Sequence, residues 1–210
     1  MMKDLVNAQV NKYISEMTRE GDVVVKEMEN LAEQMSFPIV GSQVGKMIHL
    51  IAKIKNARCV FEMGSGFGYS AWWFAKALGP RAKVHWTDRS QENLKLAKDF
   101  LTRAGLSRKI VFHCGDAVRA FKDFKGKVDI LFVDMDKELY PKAYHHFKER
   151  CRKGSILIAD NMLWDGRVLK DAHDEATKGI KEFTRLVFND PGLESAILPI
   201  RDGVLLSISV

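Results

Sequence analysis

The chain has 210 residues, 46% hydrophobic and 29% charged, with a net charge of +6 and a pI near 9.2. That length suits one domain whose core needs no disulfide or metal staple. No apolar stretch approaches membrane-spanning length, and the basic residues are interspersed with acids, as in "KDFLTRAGLSRK", so neither a membrane span nor a dedicated nucleic-acid face is expected. Cys59, Cys114 and Cys151 are odd in number and lack CxxC spacing. That argues against a disulfide framework or zinc cluster, and each is expected to act as a small core hydrophobe. Asp4, Asn7 and Gln9 fall where a signal peptide needs an apolar centre, so cytoplasm is the expected compartment.

Residues 1–40 read as a helical extension with Leu5, Val6, Val10, Ile14 and Met17 on one side, a stripe suited to packing on the body or on a second subunit. "SQVGKMIHLIAKIK" follows with helical spacing, and Ser42 is its expected N-cap. Strands and helices then alternate: "CVFEM" and "YSAWWFAKAL", "KVHWTD" and "QENLKLAKDFLTRAG", "KIVFHCG" and "DAVRAFKDF". "ILFV" leads into a helix reaching about Arg152, and "SILIADN" precedes "EATKGIKEFTRLVFN". "SAILPI" and "GVLLSISV", separated by Arg201-Asp202, predict a tight antiparallel hairpin. The expected fold is therefore α/β: a doubly wound, Rossmann-like, seven-stranded and mostly parallel sheet, with an antiparallel C-terminal strand and N-terminal helices. Residues 41–210 form its core, and the whole chain is one domain.

"FEMGSGFGYS" lies at the carboxyl end of the first strand, where a doubly wound sheet binds a nucleotide. Gly64, Gly66 and Gly68 permit a tight turn and close approach of a ligand. Tyr69 stands where an NAD fingerprint wants glycine or alanine. Glu62 would repel a pyrophosphate but attract an ammonium group, which suits S-adenosylmethionine better than NAD. Asp88, closing the second strand, can accept bonds from ribose hydroxyls. Asp116, closing the third, can approach an adenine amino group, and it is also a natural N-cap for the helix that follows.

The fourth strand ends at Asp134 and the fifth at Asp160 and Asn161. Neighbouring strands lie about 4.8 Å apart, so these three oxygen-bearing side chains converge within reach of one cation. Two carboxylates and an amide suit a hard divalent ion such as Mg²⁺. Lys137, just beyond Asp134, could take a proton from a hydroxyl beside that ion. Its bland alternative is a surface lysine paired with Asp136 or Glu138. Trp164 and Tyr140 either wall an aromatic acceptor or pack locally.

Taken together, "FEMGSGFGYSAWWFA", "HCGDA", "LFVDMDKELY", "ADNMLWDGRV" and "LPIRDGVLL" resemble, in order and spacing, the cation-dependent O-methyltransferases of the catechol and caffeoyl-CoA type. The resemblance runs from about Val40 to Leu206. It implies an S-adenosylmethionine site at Val40, Glu62, Gly64, Gly66, Ser70, Asp88, Asp116, Ala117 and Asp134. It further implies Asp134, Asp160 and Asn161 as ligands of Mg²⁺, Ca²⁺ or Mn²⁺, Asp134 and Lys137 as catalytic groups, homodimers, and vicinal-diol aromatic acceptors. Two features depart from the family pattern on the acceptor side: the final strand ends "LLSISV", and Phe183-Thr184 stands where Phe-Asn is usual. The rival readings are an NAD-dependent dehydrogenase, disfavoured by Tyr69, and a nucleic-acid methyltransferase, disfavoured by the missing Asn-Pro-Pro-Tyr type motif. A third, a partner-binding protein that keeps only the fold, sits poorly with a full acid, amide and lysine set.

Overall fold

The computed structural model describes residues 7–210. Two helices, α1 (Ala8–Thr18) and α2 (Val23–Gln34), precede α3 (Gly41–Lys55). The strands are β1 (Cys59–Met63), β2 (Lys83–Asp88), β3 (Ile110–Cys114), β4 (Ile130–Val133), β5 (Ile156–Ala159), β6 (Leu193–Leu198) and β7 (Val204–Ser209). Between them lie α4 (Tyr69–Ala77), α5 (Gln91–Arg103), α6 (Ala117–Asp123), α7 (Tyr140–Arg150) and α8 (Glu175–Phe188). All seven strands form one sheet in the order β3-β2-β1-β4-β5-β7-β6. The first five are parallel, and β7 runs antiparallel to both β5 and β6.

The period-two alternation of the central strands explains the two-layered core. Val60, Phe132 and Ile158 face one side with Trp72, Trp73 and Phe74 of α4. Phe61, Leu131 and Leu157 face the other with Phe121, Tyr140, Phe147 and Phe183. Parallel strands buried on both faces must be near-continuously apolar, and β4 and β5 are buried at every position. Each fully buried large side chain contributes on the order of 2 kcal/mol. Because β1 to β5 run the same way, their carboxyl ends share one edge, and the chain reverses its winding between β1 and β4.

Local details differ from the sequence expectations at several points. Ser42 does not cap α3, which has no side-chain cap; its hydroxyl lies 3.1 Å from that of Thr18 and ties α3 to α1. The hairpin between β6 and β7 is looser than the two residues expected, spanning residues 199–203. Pro199 has no N–H for the ladder, and Arg201 and Gly203 adopt positive φ values of 51° and 84°. Val10, Ile14 and Met17 of α1 are exposed in the single chain, while Leu5 and Val6 lie outside the described residues. Cys114 is exposed rather than a core residue, and Cys59 and Cys151 are half-buried. No helix among the described residues is long and apolar enough to cross a membrane.

Candidate active site

The strand ends open into a cavity of about 540 Å³ whose wall includes Val40, Gly64, Gly66, Ser70, Asp88, Asp116, Ala117, Asp134, Lys137, Asp160 and Asn161. The expected site residues, Glu62 excepted, are therefore gathered in one place. The turn after β1 builds the first bank. Gly64 sits at φ +90°, and a Cβ there would collide with the backbone carbonyl of Asp134, so both conformation and contact require glycine. Ser65 N–H donates to the Thr87 carbonyl at 2.8 Å, and Thr87 Oγ1 donates to the Glu62 carbonyl at 2.6 Å. These bonds knit the turn to β2. Ser70 enters the wall from the first turn of α4.

Asp88 is clamped in place. Its Oδ2 accepts from Gly66 N–H at 3.1 Å, and its Oδ1 accepts from Ser90 N–H at 2.7 Å and Asn93 Nδ2 at 3.1 Å. Asp116 caps α6 as expected, accepting from Arg119 N–H at 2.8 Å, while its other oxygen accepts from Arg89 at 2.8 Å. The backbone N–H and then the Arg89 guanidinium hold its carboxyl below the usual range. Arg89 also reaches Asp136 at 3.0 Å, so one guanidinium links the ends of three strands.

Glu62 is placed differently from the expectation of a ligand-facing carboxylate. It is fully buried behind Ser65 and Ser70 and does not reach the cavity wall. Ser65 Oγ donates to its Oε2 at 3.0 Å, but Oε1 has no protein partner. Burial pushes its carboxyl up to about 8 against the opposing influence of the nearby Ser70 and Ser65 hydroxyls. Ser70 therefore faces the cavity, with Glu62 one layer deeper.

The second bank comes from β4 and β5. Asp134 and Asp160 each follow a paired residue, Val133 and Ala159, which sets their Cα atoms about 5 Å apart. Asn161 follows at φ 59°, a left-handed conformation that asparagine tolerates. Asp160 is buried, its Oδ1 lacks any protein partner, and burial followed by the charge of Asp134 raises its carboxyl to about 7. Two acids crowd together here, one of them with a buried oxygen that no protein group satisfies. The donor set of two carboxylates and one amide suits a hard divalent cation, which would relieve both the repulsion and the orphaned oxygen. No three His, Cys, Asp or Glu side chains gather in this way among the described residues, so the amide is needed to complete the set.

Lys137 is not the surface lysine of the bland alternative. It is buried, with Nζ 3.0 Å from Asp134 Oδ1 and 2.9 Å from the Tyr140 hydroxyl. Tyr140 in turn donates to the carbonyl of Asp160 at 3.1 Å. Tyr140 is thus a buried strut packed edge-on against Phe183, not part of the cavity wall, whereas Trp164 does line the cavity. Phe183 and Thr184 also lie away from the wall, the latter bonding back to Ile180 of its own helix. Behind Lys137, Gly179 of α8 presses on the backbone of residues 137 and 138, where a Cβ would collide with the Lys137 carbonyl. Arg89 and Arg201 are cavity residues that the sequence reading did not single out. Their roles come from contacts across 27 and 162 residues, with no local pattern to mark them.

Comparison with known proteins fits this geometry. The profile of the O-methyltransferase family matches residues 14–210. The chain belongs to that family. The O-methyltransferase is 27% identical over 219 residues to a catechol O-methyltransferase of Niastella koreensis, covering 99% of each. It is 30% identical over 175 residues to caffeoyl-CoA O-methyltransferase 2 of Eucalyptus globulus, covering 77% of this chain and 71% of that one. Its fold superposes with a TM-score of 0.90 and 23% identity on an O-methyltransferase for tomaymycin synthesis from Streptomyces achromogenes, solved with S-adenosylmethionine, covering 100% of both chains.

Proposed function

We propose that this O-methyltransferase moves the methyl group of S-adenosylmethionine to one hydroxyl of a catechol-like aromatic acceptor, with a divalent cation held by Asp134, Asp160 and Asn161. The observation that carries the reading is the buried, partnerless Asp160 Oδ1 beside Asp134 in the wall of the same cavity as the glycine turn. The catechol and caffeoyl-CoA names of the relatives support the acceptor class.

Asp88 is oriented for the ribose hydroxyls, the wall at Val40 and Ala117 supplies apolar contact, and Ser70 with Glu62 behind it faces the amino-acid end. The sulfonium supplies an electrophilic methyl, and a divalent cation would hold and acidify two adjacent phenolic oxygens. As the neutral amine, Lys137 Nζ then takes the proton from the reacting hydroxyl. Its position is fixed on one side by Asp134 and on the other by the Tyr140 hydroxyl, so little reorganisation accompanies the transfer. The oxygen attacks the methyl in line as the carbon–sulfur bond breaks, leaving S-adenosylhomocysteine, and Trp164 offers the acceptor ring an apolar wall.

The deciding experiment follows methyl transfer from labelled S-adenosylmethionine to catechol with Mg²⁺ and with EDTA. Product that requires the metal supports the reading. Undiminished product in EDTA removes the cation from it, and no product under either condition removes the acceptor class.

A further inference from the structure

Three basic side chains line the cavity, and they are not equivalent. Arg89 is held between Asp116 and Asp136, and Lys137 is paired with Asp134. Arg201 forms no ion pair with any carboxylate among the described residues. One of its N–H groups donates to the Ile39 carbonyl at 2.6 Å, which leaves most of a five-donor guanidinium open.

Its placement is not that of a loose surface side chain. Residues 202 and 203 are stitched onto the segment that follows Asn161: Met162 N–H donates to the Gly203 carbonyl at 2.9 Å and Leu163 N–H to the Asp202 carbonyl at 2.8 Å. Asp165 N–H adds a 2.8 Å bond to Asp202 Oδ1. A Cβ at Gly203 would strike Leu163, so the two segments touch closely. Arg201 is therefore anchored at the acceptor end, sharing a wall with Asp160, Asn161 and Trp164. Trp164 Nε1, buried and without a protein partner, adds another unsatisfied donor on this side.

We propose that Arg201 binds a carboxylate carried by the aromatic acceptor, so that the preferred substrates are catechols bearing an acidic side group. The inference rests on the catechol reading above and adds the substituent. A guanidinium suits this role because its planar donors match a carboxylate in a bidentate manner.

The test measures kcat and KM for 3,4-dihydroxycinnamate and for its methyl ester, with Mg²⁺ and saturating S-adenosylmethionine. For the wild type the acid is the better substrate. In Arg201→Gln the acid-to-ester ratio of kcat/KM falls about tenfold, mainly through the KM of the acid, allowing for solvent screening of an exposed charge. Arg201→Lys restores part of it. In the wild type, added salt raises the KM of the acid more than that of the ester, a readout that holds even if a variant fails to fold. An unchanged ratio with equal salt responses overturns the proposal and leaves Arg201 as a clasp for Ile39. Loss on the coenzyme A thioester of the same acid, with an unchanged acid-to-ester ratio, overturns it in favour of a carrier phosphate. A wild type active on neither acceptor overturns the catechol reading and this inference together.

Discussion

The two banks of the cavity are built on opposite principles. On the first bank, Asp88 accepts three hydrogen bonds, Asp116 caps α6 and is ion-paired, and Thr87 Oγ1 is bonded to both Glu62 and Gly64 of the glycine turn. On the second bank, Asp160 keeps a buried oxygen without a partner, Trp164 keeps a buried N–H, and Arg201 is ion-paired with no carboxylate among the described residues. Burying polar groups unpaired costs about 1–3 kcal/mol each. The first bank is preorganised by the protein itself, whereas the second has its chemistry completed by what binds there.

Breaking the second bank should have the larger effect on turnover. Asp160→Ala is expected to lower methyl transfer to catechol by about 10²–10³-fold, while calorimetry still registers S-adenosylmethionine binding. Loss of both together would erase the distinction between the banks. Lys137→Met should reduce kcat by about 10²-fold with a small change in acceptor KM, read from steady-state kinetics. An unchanged kcat assigns Lys137 to structure alone. At the first bank, Gly64→Ala should act on folding, destabilising by about 2–4 kcal/mol through its positive φ and the clash with the Asp134 carbonyl. A denaturant midpoint within error of the wild type would contradict that.

The most diagnostic effect concerns pH. Burial raises the Glu62 carboxyl from 4.5 to about 8. The folded state therefore keeps a proton that the unfolded chain has released, and the Glu62 contribution to stability is lost as pH rises through that interval. Glu62→Gln, neutral at every pH, should gain stability relative to the wild type from about pH 4.5 upward and level off above about pH 8. His85, held at about 4 by burial, titrates in the acid part of this range in both proteins, so it cancels from the difference. A flat difference across the range would mean that Glu62 ionises freely.

Most of the fold was legible because the strands advertise themselves. β1 and β2 match their expected residues, and the continuous apolar runs of β4 and β5 already announced a sheet covered on both faces. The hairpin and the start of α3 were less legible, since each depends on a tertiary partner: Arg201 reaching Ile39, and Ser42 reaching Thr18. At the site, carboxylates at the ends of apolar strands were visible because burial forbids them elsewhere. The depth of Glu62 was not, because nothing in "FEMGSG" tells whether a strand-end acid points into the cavity or behind it. Tyr140 was similarly ambiguous, and only its bonds to Lys137 and the Asp160 carbonyl make it a strut.

On the proposed mechanism, Gly179 ties the pace of the reaction to the seating of a helix that never touches the cavity wall. Its bare backbone lets α8 lean against the chain carrying the Lys137 amine, with no room for even one methyl group. Any change that shifts α8 outward by the thickness of a side chain would carry that amine with it. Drift in turnover among variants of α8 should therefore track how far the helix is displaced, even where every group that meets the reactants is untouched.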